Sequence, residues 1–153
     1  MKRGRAEILI DSIFTKAKLA VRQLVGPRLS LIVIIYKMPE QAKKTLYSLS
    51  LDYQEGVFEQ DYEIIVIENA SDKPMGKEGL EGLKGDFRYY YRDETLPTPV
   101  PAINFGAAVA KGRNIGVMID GARMATPGVI RHMLLASRIS KNAVVAVPGY
   151  HLG

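Results

Sequence analysis

The stretch that most constrains the fold is Asn114–Met124, which reads Asn-Ile-Gly-Val-Met-Ile-Asp-Gly-Ala-Arg-Met. An apolar run, Ile115 with Val117, Met118 and Ile119, ends abruptly on one carboxylate, Asp120, followed by Gly121. That pattern predicts a buried strand of a parallel sheet delivering a single acid to the sheet's carboxyl edge. Ligands of open α/β sheets sit in the crevice beyond those carboxyl ends, which makes Asp120 a candidate site residue. Gly121 permits a turn there, or a close approach of a ligand to the backbone. The competing reading makes Asp120 a helix cap. Thr126, with Pro127 at the first helical position, is better placed to cap the helix that follows.

The rest of the chain alternates strand and helix around that element. Residues 6–25 carry Leu9, Ile13, Ala17, Ala20 and Leu24 at helical spacing, with Ile10, Phe14 and Val21 widening the stripe. Asp11, Thr15, Lys18 and Arg22 line the other face, and Gly26-Pro27 ends the helix. Such a basic amphipathic helix packs on its own domain or on a partner subunit, or lies peripherally on an anionic membrane. Leu29–Tyr36 is apolar almost throughout and reads as a central strand. Pro39 opens a helix whose inward face is Ala42, Leu46 and Leu49. Tyr62–Ile67 is a second buried strand and also ends on an acid, Glu68.

Phe87–Arg92 alternates apolar and basic residues, with Phe87, Tyr89 and Tyr91 on one side. A half-buried strand accounts for this better than a base-stacking surface, so no nucleic-acid partner is assigned. Pro101–Lys111 is a helix of small residues, with Gly112 as its C-terminal cap. The strand into Asp120, a helix over 127–139 and a last strand, Ala143–Val147, complete the pattern. The fold class is α/β: an open, mostly parallel sheet with helices on both faces.

Composition narrows the function classes. With 153 residues the chain fits one domain over 29–153, preceded by the helical segment 1–28. No apolar run approaches the roughly 20 residues of a membrane span. There is no cysteine, which removes disulfide frameworks and cysteine metal sites and suits a cytoplasmic protein. The net charge of +5 favours anionic partners such as phosphates, a membrane surface or nucleic acid, but it is spread along the chain apart from the basic start Lys2, Arg3 and Arg5. Neither Gly-x-Gly-x-x-Gly nor Gly-x-x-x-x-Gly-Lys occurs, so a dinucleotide or P-loop site is not expected. Two strand-end carboxylates remain. One can accept from a base N–H or ribose hydroxyls, and the other can hold a metal on a diphosphate.

In order and spacing, four stretches resemble the nucleotide-binding half of a family 2 glycosyltransferase with the GT-A, Rossmann-like fold. They are residues 32–39 (Ile-Val-Ile-Ile-Tyr-Lys-Met-Pro), 64–71 (Ile-Ile-Val-Ile-Glu-Asn-Ala-Ser), Asn104-Phe105-Gly106 with Ala110-Lys111-Gly112, and 117–122 (Val-Met-Ile-Asp-Gly-Ala). The resemblance implies a transferase binding a nucleotide-diphosphate sugar for transfer to an unidentified acceptor. Donor binding would fall on Tyr36, Glu68, Asn104 and Asp120, with Asp120 the metal ligand. Ala122 stands where the second acid of Asp-x-Asp would be, so Mg²⁺ or Mn²⁺ would lean on water and donor phosphates. Arg123, a permanent cation with a fork suited to phosphate, is the candidate to replace part of that charge. Lys37 stands where the family often has Asn, and Glu68 is one methylene longer than the usual Asp.

After Asp120 the sequence contains no Asp or Glu. The downstream carboxylate that would deprotonate an acceptor is therefore missing, and only His132 and His151 remain as candidate bases. The expectation is a donor-binding half without its acceptor half and general base. The alternative is a non-catalytic GT-A-like module that binds nucleotide or a partner.

Overall fold

The structure, a computed structural model, describes residues 28–94, 96–119, 123–140 and 142–148. The predicted helix over 6–25, together with Asp120, Gly121, Ala122 and His151, lies outside the described residues. In chain order the elements are β1 (Leu29–Ile35), α1 (Pro39–Ser48), β2 (Tyr62–Asn69), β3 (Asp86–Arg92), α2 (Val100–Val109), β4 (Asn114–Ile119) and α3 (Val129–Ala136). Single 3₁₀ turns at Glu59–Asp61 and Lys77–Leu80 lead into β2 and towards β3. The strands form one sheet in the order β3-β2-β1-β4, and every pairing is parallel. Among the described residues no helix is long and apolar enough to cross a membrane.

Every residue of β1 and β2 is buried, as their Ile, Leu and Val runs at 31–35 and 64–67 favour in strands covered on both faces, and the polar Ser30, Glu63, Glu68 and Asn69 are buried with them. On one face Leu31, Val33, Ile64 and Val66 pack with Ala42, Leu46, Ile130 and Leu134 of α1 and α3. On the other, Ile32, Ile34, Ile65 and Ile67 pack with Ala102 of α2. Each buried aliphatic side chain contributes roughly 1.5–3 kcal/mol relative to exposure.

An ionic network ties the layers together at the amino end of the sheet. Glu63, fully buried on β2, accepts from Arg88 Nη2 (2.6 Å), Ser30 Oγ (2.5 Å) and the Lys111 amide (2.7 Å). Ser30 Oγ in turn accepts from the Gly112 amide at 2.7 Å. A buried carboxylate with this many donors is satisfied, and it sets the angle at which the chain leaves α2 for β4.

Several local expectations change. Gly112 does not cap α2, whose C-cap is Ala110 in an extended conformation. Gly112 instead lets the chain pass under β1: a Cβ there would lie 2.5 Å from the Ser30 nitrogen. α3 begins at Val129 with Gly128, at φ 82°, as its N-cap, so Thr126 and Pro127 belong to the preceding turn. Residues 143–147 form no strand and are exposed. β4 is a strand, but an edge strand buried on one side only, with Ile115, Val117 and Ile119 about half exposed.

Candidate functional site

The carboxyl ends of β1, β2 and β4 and the loop entering α2 enclose a crevice of about 690 Å³. Its floor is Ile34 and Ile119, adjacent across the β1–β4 pairing. One side is Tyr36, Lys37 and Met38, which follow β1, and another is Asn69 and Ala70 at the end of β2. Glu94, Leu96, Pro97, Thr98 and Pro99 close it, the prolines stiffening the approach to α2.

Each of these positions follows from local chain chemistry. β1 ends where its apolar run ends, and Lys37 turns the chain with φ 55° before Pro39 starts α1. β2 runs two residues past its apolar stretch, through Glu68 and Asn69, and the chain then turns at Ala70 with φ 30°. Among the described residues these are the non-glycine positions with positive φ, and both line the crevice. Such a conformation costs on the order of 1–3 kcal/mol and persists only where the surroundings impose it. Here Ser71 Oγ accepts from the Lys37 amide at 3.1 Å, and the Arg92 carbonyl accepts from the Ala70 amide at 2.8 Å.

The electrostatics are mixed. Lys37 pairs with Asp72 at 3.2 Å and sits 5.3 Å over the Tyr36 ring. The hydrogen bond to Asp72, then that to the Tyr36 side chain, raises the ammonium above its ordinary pKa. Arg92, opposite Asn69 in the β2–β3 register, lies 4.7 Å over the Phe105 ring and 3.7 Å from Glu94. Two buried polar atoms at this end have no hydrogen-bond partner: Asn69 Oδ1 and Arg92 Nε. Unpaired buried polar atoms are uncommon, and of these two residues Asn69 lines the crevice, where a polar ligand or water would be received.

The sequence-predicted residues are distributed unevenly around this crevice. Tyr36 lines it, and Ile119, the residue before Asp120, is on its floor. Arg123 is exposed beyond β4, and Asn104 is exposed on α2; neither lines the crevice. Glu68 is fully buried on the opposite face of β2, where it accepts from the Tyr89 hydroxyl (2.6 Å), the Met75 amide (2.9 Å) and, more weakly, the Gly76 amide (3.4 Å). Burial first, and then the bond to Glu68, pushes the Tyr89 phenol well above its ordinary pKa. Glu68 thus folds the 70–76 loop against the sheet. His132 is exposed on α3, its Nδ1 2.9 Å from the Gly128 carbonyl oxygen.

Asn69 and Glu94 were not singled out from sequence. Asn69 is adjacent to Glu68, so alternation along a strand sends the two side chains to opposite faces. In a run buried on both faces, the hydrophobic pattern carries no signal for which face meets the crevice. As for a metal, the carboxylate lining the crevice is Glu94, and no group of three potential ligands gathers among the described residues. Those residues do not by themselves fit a divalent cation.

The sequence profile of glycosyl transferase family 2 matches residues 30–151. No curated protein sequence matches the chain. In fold, the chain is similar to the crystal structure of S. aureus TarS 1-349, with a TM-score of 0.64 at 15% identity. The match covers 80% of this chain and 38% of that one, so the chain spans about two fifths of that structure's length.

Proposed function

The chain belongs to glycosyl transferase family 2, and from that premise we propose that it binds the nucleoside diphosphate of a sugar donor in the crevice at the carboxyl edge. The observation that carries this reading is Asn69. Its Oδ1 is buried, unpartnered and at the crevice wall, flanked by the strained backbone of Lys37 and Ala70. A neutral amide offers one acceptor and two donors, which suits the mixed edge of a nucleobase. Tyr36 lines the same crevice with its ring exposed, and Glu68 acts indirectly, by holding the loop that follows Asn69.

In this reading the diphosphate extends past Ile119 on the crevice floor towards Arg123, which is exposed beyond β4. Arg123 offers a charge-assisted, bidentate contact of roughly 1.5–3 kcal/mol. With Ala122 in place of a second acid, Mg²⁺ or Mn²⁺ adds little to affinity, and no step is routed through a metal. Transfer of the sugar to an acceptor belongs to this reading as the activity of the family, with the acceptor unidentified.

Calorimetric titration of the chain with UDP and with other nucleoside diphosphates tests the site. Asn69→Ala and Arg123→Ala should each weaken the preferred nucleotide at least about tenfold, since ~1.4 kcal/mol is a factor of ten. EDTA should change the parent's affinity by less than Arg123→Ala does. Binding that survives both Asn69→Ala and Asp120→Ala undiminished would remove the donor from this crevice.

A further inference from the structure

In the described sheet β3 is an edge strand, paired with β2 on one side. The Arg92 carbonyl accepts from the Ala70 amide at 2.8 Å, so the backbone of Arg92 faces β2. Alternation along the strand then turns the N–H and C=O groups of Phe87, Tyr89 and Tyr91 outwards. Among the described residues none of these three has a backbone partner across that edge. Phe87 and Tyr89 from one face of the strand and Arg88 and Tyr90 from the other line one open depression of about 410 Å³, together with Lys77 and Leu80. Charged side chains commonly guard such an edge, but the Arg88 guanidinium is turned inwards to Glu63 at 2.6 Å. We propose that this edge is an interface between two copies of the chain, in which β3 pairs antiparallel with β3 of a second copy about a two-fold axis at Tyr89.

The strand reads Asp-Phe-Arg-Tyr-Tyr-Tyr-Arg and is complementary to itself when reversed. With Tyr89 opposite Tyr89 of the second copy, Phe87 lies opposite Tyr91 in both directions. These are hydrogen-bonded pairs, each exchanging both bonds, so every outward N–H and C=O of Phe87, Tyr89 and Tyr91 is satisfied at once. The remaining positions form the closer, non-hydrogen-bonded pairs, with Arg88 opposite Tyr90 and Asp86 opposite Arg92. Asp86 has no ion pair of its own among the described residues, and its new partner carries the opposite charge at both ends of the strand.

The neighbouring registers are each penalised. Sliding the second strand by two residues one way sets Arg88 opposite Arg88, and the other way sets Arg88 opposite Arg92. Like charges directly opposite one another destabilise a pairing, whereas opposite charges and aromatic pairs favour it. An extended peptide of another protein would satisfy the same backbone groups, but it has no reason to match the spacing of Asp86 and Arg92. A two-fold axis matches it automatically, because an isologous interface presents each residue to its own counterpart's partner. β3 and β4 lie at opposite edges of the described sheet, and the pairing does not depend on what the crevice binds.

Sedimentation equilibrium of the full chain up to millimolar concentration should show a monomer–dimer equilibrium. Asp86→Arg sets arginine opposite Arg92 at both ends and should weaken the dimer at least about tenfold. Glu40→Arg makes the same change of net charge at an exposed position on α1 and should leave the dimer within about twofold of the parent. A monomer at every concentration, a dimer indifferent to Asp86→Arg, or one weakened equally by both substitutions overturns the proposal. Residue-resolved hydrogen exchange of the parent needs no substitution. Amides of Phe87, Tyr89 and Tyr91 should exchange at least about tenfold more slowly in the dimer than in the dilute monomer, while those of Arg88 and Tyr90, already bonded to β2, stay the same. Protection of all three that does not change with concentration would mean that the chain covers its own edge, and refutes the pairing.

Discussion

Replacing Glu68 separates a residue that builds the crevice from one that reads its contents. Glu68→Ala removes a fully buried carboxylate that accepts from Tyr89, Met75 and Gly76. A hydrogen bond to a charged acceptor is worth roughly 1.5–3 kcal/mol, and a buried donor left alone costs about 1–3 kcal/mol. The Met75 amide bears that cost in full, because it is buried. The Tyr89 hydroxyl is only partly buried and recovers some of it from water. Relief from the cost of burying a charge offsets part of the rest. The net expectation is a loss of about 2–4 kcal/mol, a large share of the 5–15 kcal/mol typical of a domain. Glu68→Gln keeps the volume and one acceptor and should lose about 1–2 kcal/mol. Urea unfolding measures both, and the midpoint should fall by roughly 1–2 M for Glu68→Ala at unchanged slope. UDP affinity of the folded Glu68→Gln protein should stay within about twofold of the parent, whereas Asn69→Ala loses about tenfold. The reasoning fails if Glu68→Ala changes stability by less than about 0.5 kcal/mol. It fails equally if Glu68→Gln abolishes nucleotide binding as Asn69→Ala does.

At the amino end of the sheet, Glu63→Ala strands Arg88 beside a vacated site and should destabilise by about 3 kcal/mol, the low end for a broken buried pair because Arg88 is 21% exposed. Thermal or urea unfolding checks this, and the loss should persist in high salt because the pair is shielded from mobile ions. Alkaline titration should show a stability loss with a defined window. Burial, and secondarily the Asp61 charge, pushes Tyr62 up to about 12, and Tyr89 is raised in the same direction. The folded state keeps protons that the unfolded chain releases, so this stability is complete below pH about 10 and falls as pH rises through about 12. Tyr62→Phe should flatten that limb in urea titrations between pH 9 and pH 12; an unchanged slope would contradict the assignment.

How far the site was legible depends on the residue. Tyr36 is the first residue after an apolar strand, so its place at the carboxyl edge is legible from local pattern, and it lines the crevice. Glu68 was equally visible as a strand-end acid, yet β2 continues through it to Asn69 and turns its carboxylate inwards. A difference of one residue in a strand's end exchanges the two faces. Glu94 and the Leu96–Pro99 wall sit in a linker whose path is set by where α2 docks, which no periodicity encodes.

What the sequence by itself determined is that β1 to β4 are strands of a parallel α/β sheet, although the same pattern at 143–147 forms none. The Ile, Leu and Val runs at 31–35 and 64–67 are best satisfied inside a covered sheet, and the helical pattern between them calls for a parallel crossover. Tertiary structure alone decided which strand lies at the edge, which face of β2 meets the crevice and which polar atoms go unpaired there. Those outcomes depend on long-range contacts: Asn114 against Arg28, Gly112 against Ser30, Tyr89 against Glu68. A local pattern records how apolar a segment is, and the direction from which its neighbours arrive is settled only when the layers pack.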